Sequence, residues 1–102
     1  MQKDEFDKAL NAIYARVVTG AAELPQETRQ AIFEGTGAPD NAQAFVEKVH
    51  RHAYKVTDED VDALKTSGYS EDAIYEATIC AAVGAGMARW RAAMAALSEE
   101  EE

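Results

Sequence analysis

The chain predicts an all-α fold of about five helices, organised around a long C-terminal helix. Three observations carry that expectation. Apolar residues recur at three- and four-residue steps in one segment after another, the spacing of a helix face. Those segments are punctuated by helix starts and stops, with a hydroxyl, an acid or a proline at one end and a glycine at the other. No run reads convincingly as a strand, and there is no internal repeat. At 102 residues the chain has room for one core, so a single helical domain is expected over 1–98, followed by an acidic tail at 99–102.

Phe6, Leu10, Ile13, Tyr14 and Val17 share one face of a first helix, with Asp4 as its cap and Gly20 as its stop. Leu24-Pro25-Gln26-Glu27 reads as a second start, because proline at the first helical position loses no hydrogen bond there. This short helix carries Ala31, Ile32 and Phe33 and ends by Gly35. The loop Gly35-Thr36-Gly37-Ala38-Pro39 is read as a connector. Its glycines lack the preceding strand and following lysine of a phosphate cradle. Asp40 and Gln43 resemble a capping box that opens a third helix, with Phe45, Val49, Ala53 and Val56 on its inner face. Thr57, followed by Asp58, Glu59 and Asp60, opens a fourth. Val61 and Leu64 point inward, Lys65 suits the negative end of the dipole, and Gly68 closes it.

The fifth helix is expected over 70–97, with Ser70 as cap and Glu71 and Asp72 at its positive end. It is apolar on two faces. One stripe is Ile79, Val83, Met87, Trp90, Met94 and Leu97; the other is Ile74 with Ala77, Ala81, Ala85, Ala88, Ala92 and Ala96. A helix apolar on two faces needs cover on two faces. The cover is either the chain's own core or a second copy, and the small-residue seam around Ala81 and Ala85 is the expected contact for a homo-oligomer. Gly84 and Gly86 each cost about 1 kcal/mol relative to alanine inside a helix, so close packing is expected to compensate them.

The net charge of −9 excludes a nucleic-acid footprint, since nothing here would track a phosphate backbone. The run 77–88 is too short to cross a membrane, and Arg89 and Arg91 follow it. The first residues carry Asp4, Glu5 and Asp7 and do not read as a signal peptide. Cys80 is the single cysteine, so no internal disulfide is expected and a reducing cytoplasm is the default location.

The chemistry-bearing residues concentrate in the third helix. His50 and His52 are the chain's two histidines, and histidine is the side chain whose ordinary pKa suits proton transfer near neutrality. Residues two apart on a helix point about 200° from one another, so the pair cannot grip one ion together. Glu47 lies one turn before His50, and two ligands are too few for a structural zinc site. Neither a metal nor another cofactor is expected. His52, His50 and Glu47 are therefore candidate catalytic groups, with Arg51 and Tyr54 as candidate contacts to a small-molecule ligand. The competing reading of His52 is a histidine at the core edge. Cys80, with no basic residue within a turn, reads as a buried, inert thiol.

From His52 onward the chain resembles a known family. The run His52-Ala53-Tyr54-Lys55-Val56-Thr57-Asp58-Glu59-Asp60-Val61, then Gly68-Tyr69-Ser70-Glu71-Asp72-Ala73-Ile74, then Ala81-Ala82-Val83-Gly84-Ala85-Gly86-Met87, is similar to carboxymuconolactone decarboxylase-like proteins, within them the alkylhydroperoxidase D-like branch. The likeness spans about half the chain and implies a helical fold that assembles as oligomers. Peroxidase members carry a Cys-x-x-Cys pair and a following histidine, which the resemblance would set near Ala53, Val56 and Asp60. None of those residues is present here, so dithiol peroxidase activity is not expected. The decarboxylase branch leaves open a lyase or isomerase that moves a proton on a small carboxylic acid, with Arg51, Lys48 or Lys55 to hold it. A non-catalytic structural or accessory protein is the alternative.

Overall fold

In the computed structural model, which describes residues 3–101, the described backbone forms five α-helices and no strand. They are α1 (Lys3–Tyr14), α2 (Gln26–Glu34), α3 (Gln43–His52), α4 (Asp58–Thr66) and α5 (Glu71–Glu101). The side chains at 3, 6 and 99–101 lie outside the described set, and with them the inward role expected of Phe6; residue 102 lies outside it altogether.

The helix ends follow local chemistry. Thr57 and Asp60 form a reciprocal capping box: the Asp60 N–H donates to Thr57 Oγ1 at 3.3 Å and the Thr57 N–H to Asp60 Oδ2 at 2.9 Å. Ser70 Oγ accepts from the Ala73 N–H at 3.1 Å and opens α5. α2 stops at Gly35, whose φ of 74° is left-handed. The Gly35 N–H reaches Ile32 O and the Thr36 N–H reaches Ala31 O, a Schellman pattern. Gly68, at φ 101°, ends α4 the same way, with the Tyr69 N–H on Leu64 O.

The first helical run does stop at Gly20, its last stretch being a π-helical turn, Ala15–Thr19, that seats Val18 fully buried. Two local expectations are corrected. Asp40 and Gln43 do not form a capping box. Asp40–Ala42 is a 3₁₀ turn, and Gln43 Oε1 instead accepts from the Ala38 N–H at 2.9 Å. α3 stops at His52, short of Val56, because Thr57 must be extended (φ −118°, ψ 167°) to cap α4. A 3₁₀ turn, Ala53–Lys55, bridges the gap, and Ala53 is exposed rather than inward.

α5 is the spine, packed chiefly against α2 and α3. Its buried face is the small-residue seam: Ala73, Ala77, Ala81 and Ala85 lie in the core beside Ile32, Phe33, Val46 and Val49. The reason for small residues is explicit at Gly84, where an added Cβ would lie 2.0 Å from Phe33 O. Backbone meets backbone there. The expectation that Ala81 and Ala85 face a second copy is therefore corrected, since the chain's own helices bury both. Beyond Met87, Ala88, Ala92 and Ala96 are exposed and Leu97 is 51% exposed. α5 also continues to Glu101, four residues beyond the expected end. Its 31 residues span about 46 Å of a molecule 52 Å long. The radius of gyration, 15.1 Å, exceeds the roughly 13 Å of a compact domain this size. The helix overhangs its own fold.

The loop between α1 and α2 is held by two buried or half-buried charges. Arg29, 4% exposed, donates from Nε to Leu24 O at 3.0 Å and from Nη1 to Val17 O at 3.2 Å, satisfying a carbonyl at the α1 terminus. Glu76 of α5 accepts the Leu24 and Glu23 N–H groups at 2.8 and 3.0 Å, and the Ser70 hydroxyl donates to Glu23.

Gly84→Ala is expected to destabilise the fold by about 2 kcal/mol or more, since backbone cannot yield to the new methyl. Gly86→Ala, with open space at its Cβ, should stabilise by up to about 1 kcal/mol. Urea denaturation of the two variants checks the opposed signs. Arg29→Met should cost roughly 2–4 kcal/mol, because two carbonyls lose a charged donor.

Candidate functional site

α3 sets Gln43, Glu47, His50 and Arg51 along one face by helical spacing, and the loop after α2 faces them. Together with Gly35 and Gly37 these side chains line a cleft of about 110 Å³, with the buried Val46 beneath. The loop's close approach follows from Gly35, whose absent side chain leaves His50 Nε2 3.4 Å from where a Cβ would stand. Gln43 ties the two walls together: its Oε1 accepts from the Ala38 N–H while its Nε2 donates to Glu47 Oε1 at 3.0 Å. On the far side Arg89 of α5 donates to the His50 carbonyl at 3.3 Å, holding the last turn of α3. Ligand pockets are usually about 300–1,000 Å³, so this cleft suits only a small molecule.

The five candidate residues divide. Glu47, His50 and Arg51 share the cleft. His52 is exposed outside it, at the point where the backbone leaves the helix (φ −143°, ψ 59°). Its ring meets the edge of Tyr54 at 6.0 Å, and Tyr54 is itself 81% exposed with Lys55 Nζ 5.8 Å from its ring centre. The core-edge reading of His52 is thereby corrected, because the helical face it relied on ends there.

The cations divide as well. Lys48 Nζ binds both Asp60 oxygens, at 3.1 and 2.9 Å, and those bonds, followed by the Thr57 N–H, hold the Asp60 carboxyl below the usual carboxylate range. Lys55 lies over Tyr54. Arg51 is the cation that lines the cleft. Three contributors went unread in the sequence. Gly35 and Gly37 look like a plain connector there, although the spacing of Gln43, Glu47 and His50 does signal a shared face. Arg89 carries no local signal, since its partner is 39 residues away.

Cys80 sits elsewhere, fully buried on α5 with Sγ 3.7 Å from Val17 O. Burial pushes its pKa up from 9.0 to about 11, against a smaller downward pull from Arg29. A thiol held protonated is a poor nucleophile. At the positions the peroxidase resemblance would use, Ala53 is exposed, Val56 half-buried, and Asp60 committed to Lys48 and Thr57.

No group of three or more metal-binding side chains converges among the described residues, and no described helix is long and apolar enough to cross a membrane. No family model matches the chain, and comparison with curated proteins and with solved structures gives no match either.

Cys80 is expected to resist iodoacetamide in the native protein at pH 7.5 and to react at least 100-fold faster in guanidinium, read by intact mass. Its folded pKa lies above the unfolded one, so the thiol's contribution to stability is complete below pH 9 and lost as pH rises through about 11. Cys80→Ala should remove that alkaline loss, as measured by denaturation across pH 8–11.

Proposed function

We propose that this chain binds a small carboxylic acid in the cleft between α3 and the loop after α2, and that its chemistry there is proton transfer at His50. The convergence of Glu47, His50 and Arg51 on one small cleft carries this reading. Arg51 supplies a planar fork of donors matched to a carboxylate, in a protein otherwise strongly acidic. Glu47, steadied by Gln43, orients the polar end of the site. His50 takes the proton, being half-buried in the cleft wall with its backbone carbonyl anchored by Arg89. This is the decarboxylase or isomerase side of the family resemblance, without its dithiol chemistry.

The test is an amide NMR titration with a panel of small mono- and dicarboxylic acids, run alongside deuterium exchange of each acid's α-hydrogens in D₂O. The expected result is shift changes at Gly35, Gly37, Glu47, His50 and Arg51. Arg51→Ala should weaken binding about 10- to 100-fold, the value of one charge-assisted contact of roughly 1.5–3 kcal/mol. His50→Gln should keep binding and abolish the exchange. Binding without exchange in the unaltered protein would leave a carrier rather than an enzyme. Silence at all five residues across the panel would sink the reading.

A further inference from the structure

The distal part of α5 stands out from the fold with an arrangement of charge that its own chain does not balance. A helix C-terminus already carries about half a negative charge, and cations rather than acids are favoured there. The last described turn of α5 holds no basic residue, and positions 99–102 are Glu99, Glu100, Glu101 and Glu102. Two turns back lie Arg89 and Arg91, both exposed. Arg89 is bonded to a neutral carbonyl, and Arg91 has no ion pair among the described residues. Between these opposite charges the helix presents a half-buried Met94 and a 51% exposed Leu97 at coiled-coil spacing from Trp90.

We propose that a second copy of this chain covers this segment, with the two α5 ends pairing antiparallel about Met94. That register sets Met94 against Met94, and Leu97 of each copy level with position 91 of the other, one residue from Trp90. The same register sets positions 99 and 100 of one copy level with Arg89 of its partner, so the acidic end of each helix lies beside the basic segment of the other. A parallel pairing would set arginine beside arginine and acid beside acid. The antiparallel arrangement also opposes the two helix dipoles, placing neither negative end against the other. The contact, about 20 Å long at 1.5 Å per residue, is short for a permanent dimer. The association is therefore reversible and weakened by salt. It uses neither Glu47, His50 nor Arg51, and shares with the cleft Arg89, whose bond holds the His50 carbonyl.

Sedimentation velocity over a concentration series, at 50 and 500 mM NaCl, is the first measurement. The full chain should dimerise at low salt, with a dissociation constant at least tenfold weaker at high salt. Leu97→Glu should be monomeric at 50 mM NaCl with unchanged helical circular dichroism. Reversing Arg89 and Arg91 to Glu in one chain, and Glu99, Glu100 and Glu101 to Lys in another, should leave each chain monomeric alone; mixed, the two should form a 1:1 heterodimer. Should loss of the Arg89 bond to α3 unfold the first chain, Arg91→Glu alone is used in its place, again judged by circular dichroism. A protein that is monomeric at every concentration overturns the proposal. So does a dimer indifferent to Leu97→Glu, or a mixture of the reversed chains that does not associate.

Discussion

The approach of α2 to α5 at Gly84 is the constraint on which the rest of the structure depends. With an added Cβ only 2.0 Å from Phe33 O, the two helices are as close as backbone allows. Everything at the end of α2 inherits that position. Gly35 follows Phe33 by two residues, turns left-handed, and delivers the loop against His50. The cleft is thus a consequence of a helix crossing, and its depth is set by a glycine on a helix that does not line it. The alanines on either side of Gly84 do the same work at lower resolution. They keep α5 thin enough to be the centre of a domain this small, while Ile32, Phe33, Val46 and Val49 supply the bulk around it.

Polar groups complete what packing leaves undone. Arg29 is the charged side chain buried among the described residues, and it lies where α1 ends and a loop begins, a place where carbonyls have no helical partner. Glu76 meets the same loop from the opposite side with its two oxygens on successive N–H groups. These two charges influence Cys80 in opposite senses, and burial outweighs both. The result is a buried thiol with its pKa pushed up to about 11. Around α3 the distribution is different: Lys48 is consumed by Asp60, Lys55 lies on Tyr54, and Arg51 remains at the cleft beside His50. In a chain of charge −9, Arg51 is a cation lining that cleft, with Glu47 on the same wall.

The sequence by itself determined what depends on neighbours within a turn or two. The helical class, the order of five helices, the glycine stops at Gly35 and Gly68, and the hydroxyl starts at Thr57 and Ser70 are all consequences of local backbone and side-chain chemistry. The common face of Glu47 and His50 is of the same kind, because helical spacing alone places them together.

Only the tertiary structure decided the rest, because the deciding partner was distant in sequence. Which stripe of α5 is core was settled by Phe33, 51 residues before Gly84. The wall of the cleft was settled by where α2 ends on α5, which set the connector's Gly35 and Gly37 against α3. α3 stopped short of Val56 because the cap of the next helix demanded an extended Thr57, a competition that periodicity cannot weigh. Arg29, Glu76 and Arg89 were silent in the sequence for one reason. Each satisfies a backbone group whose need for a partner arises only when another helix has ended beside it.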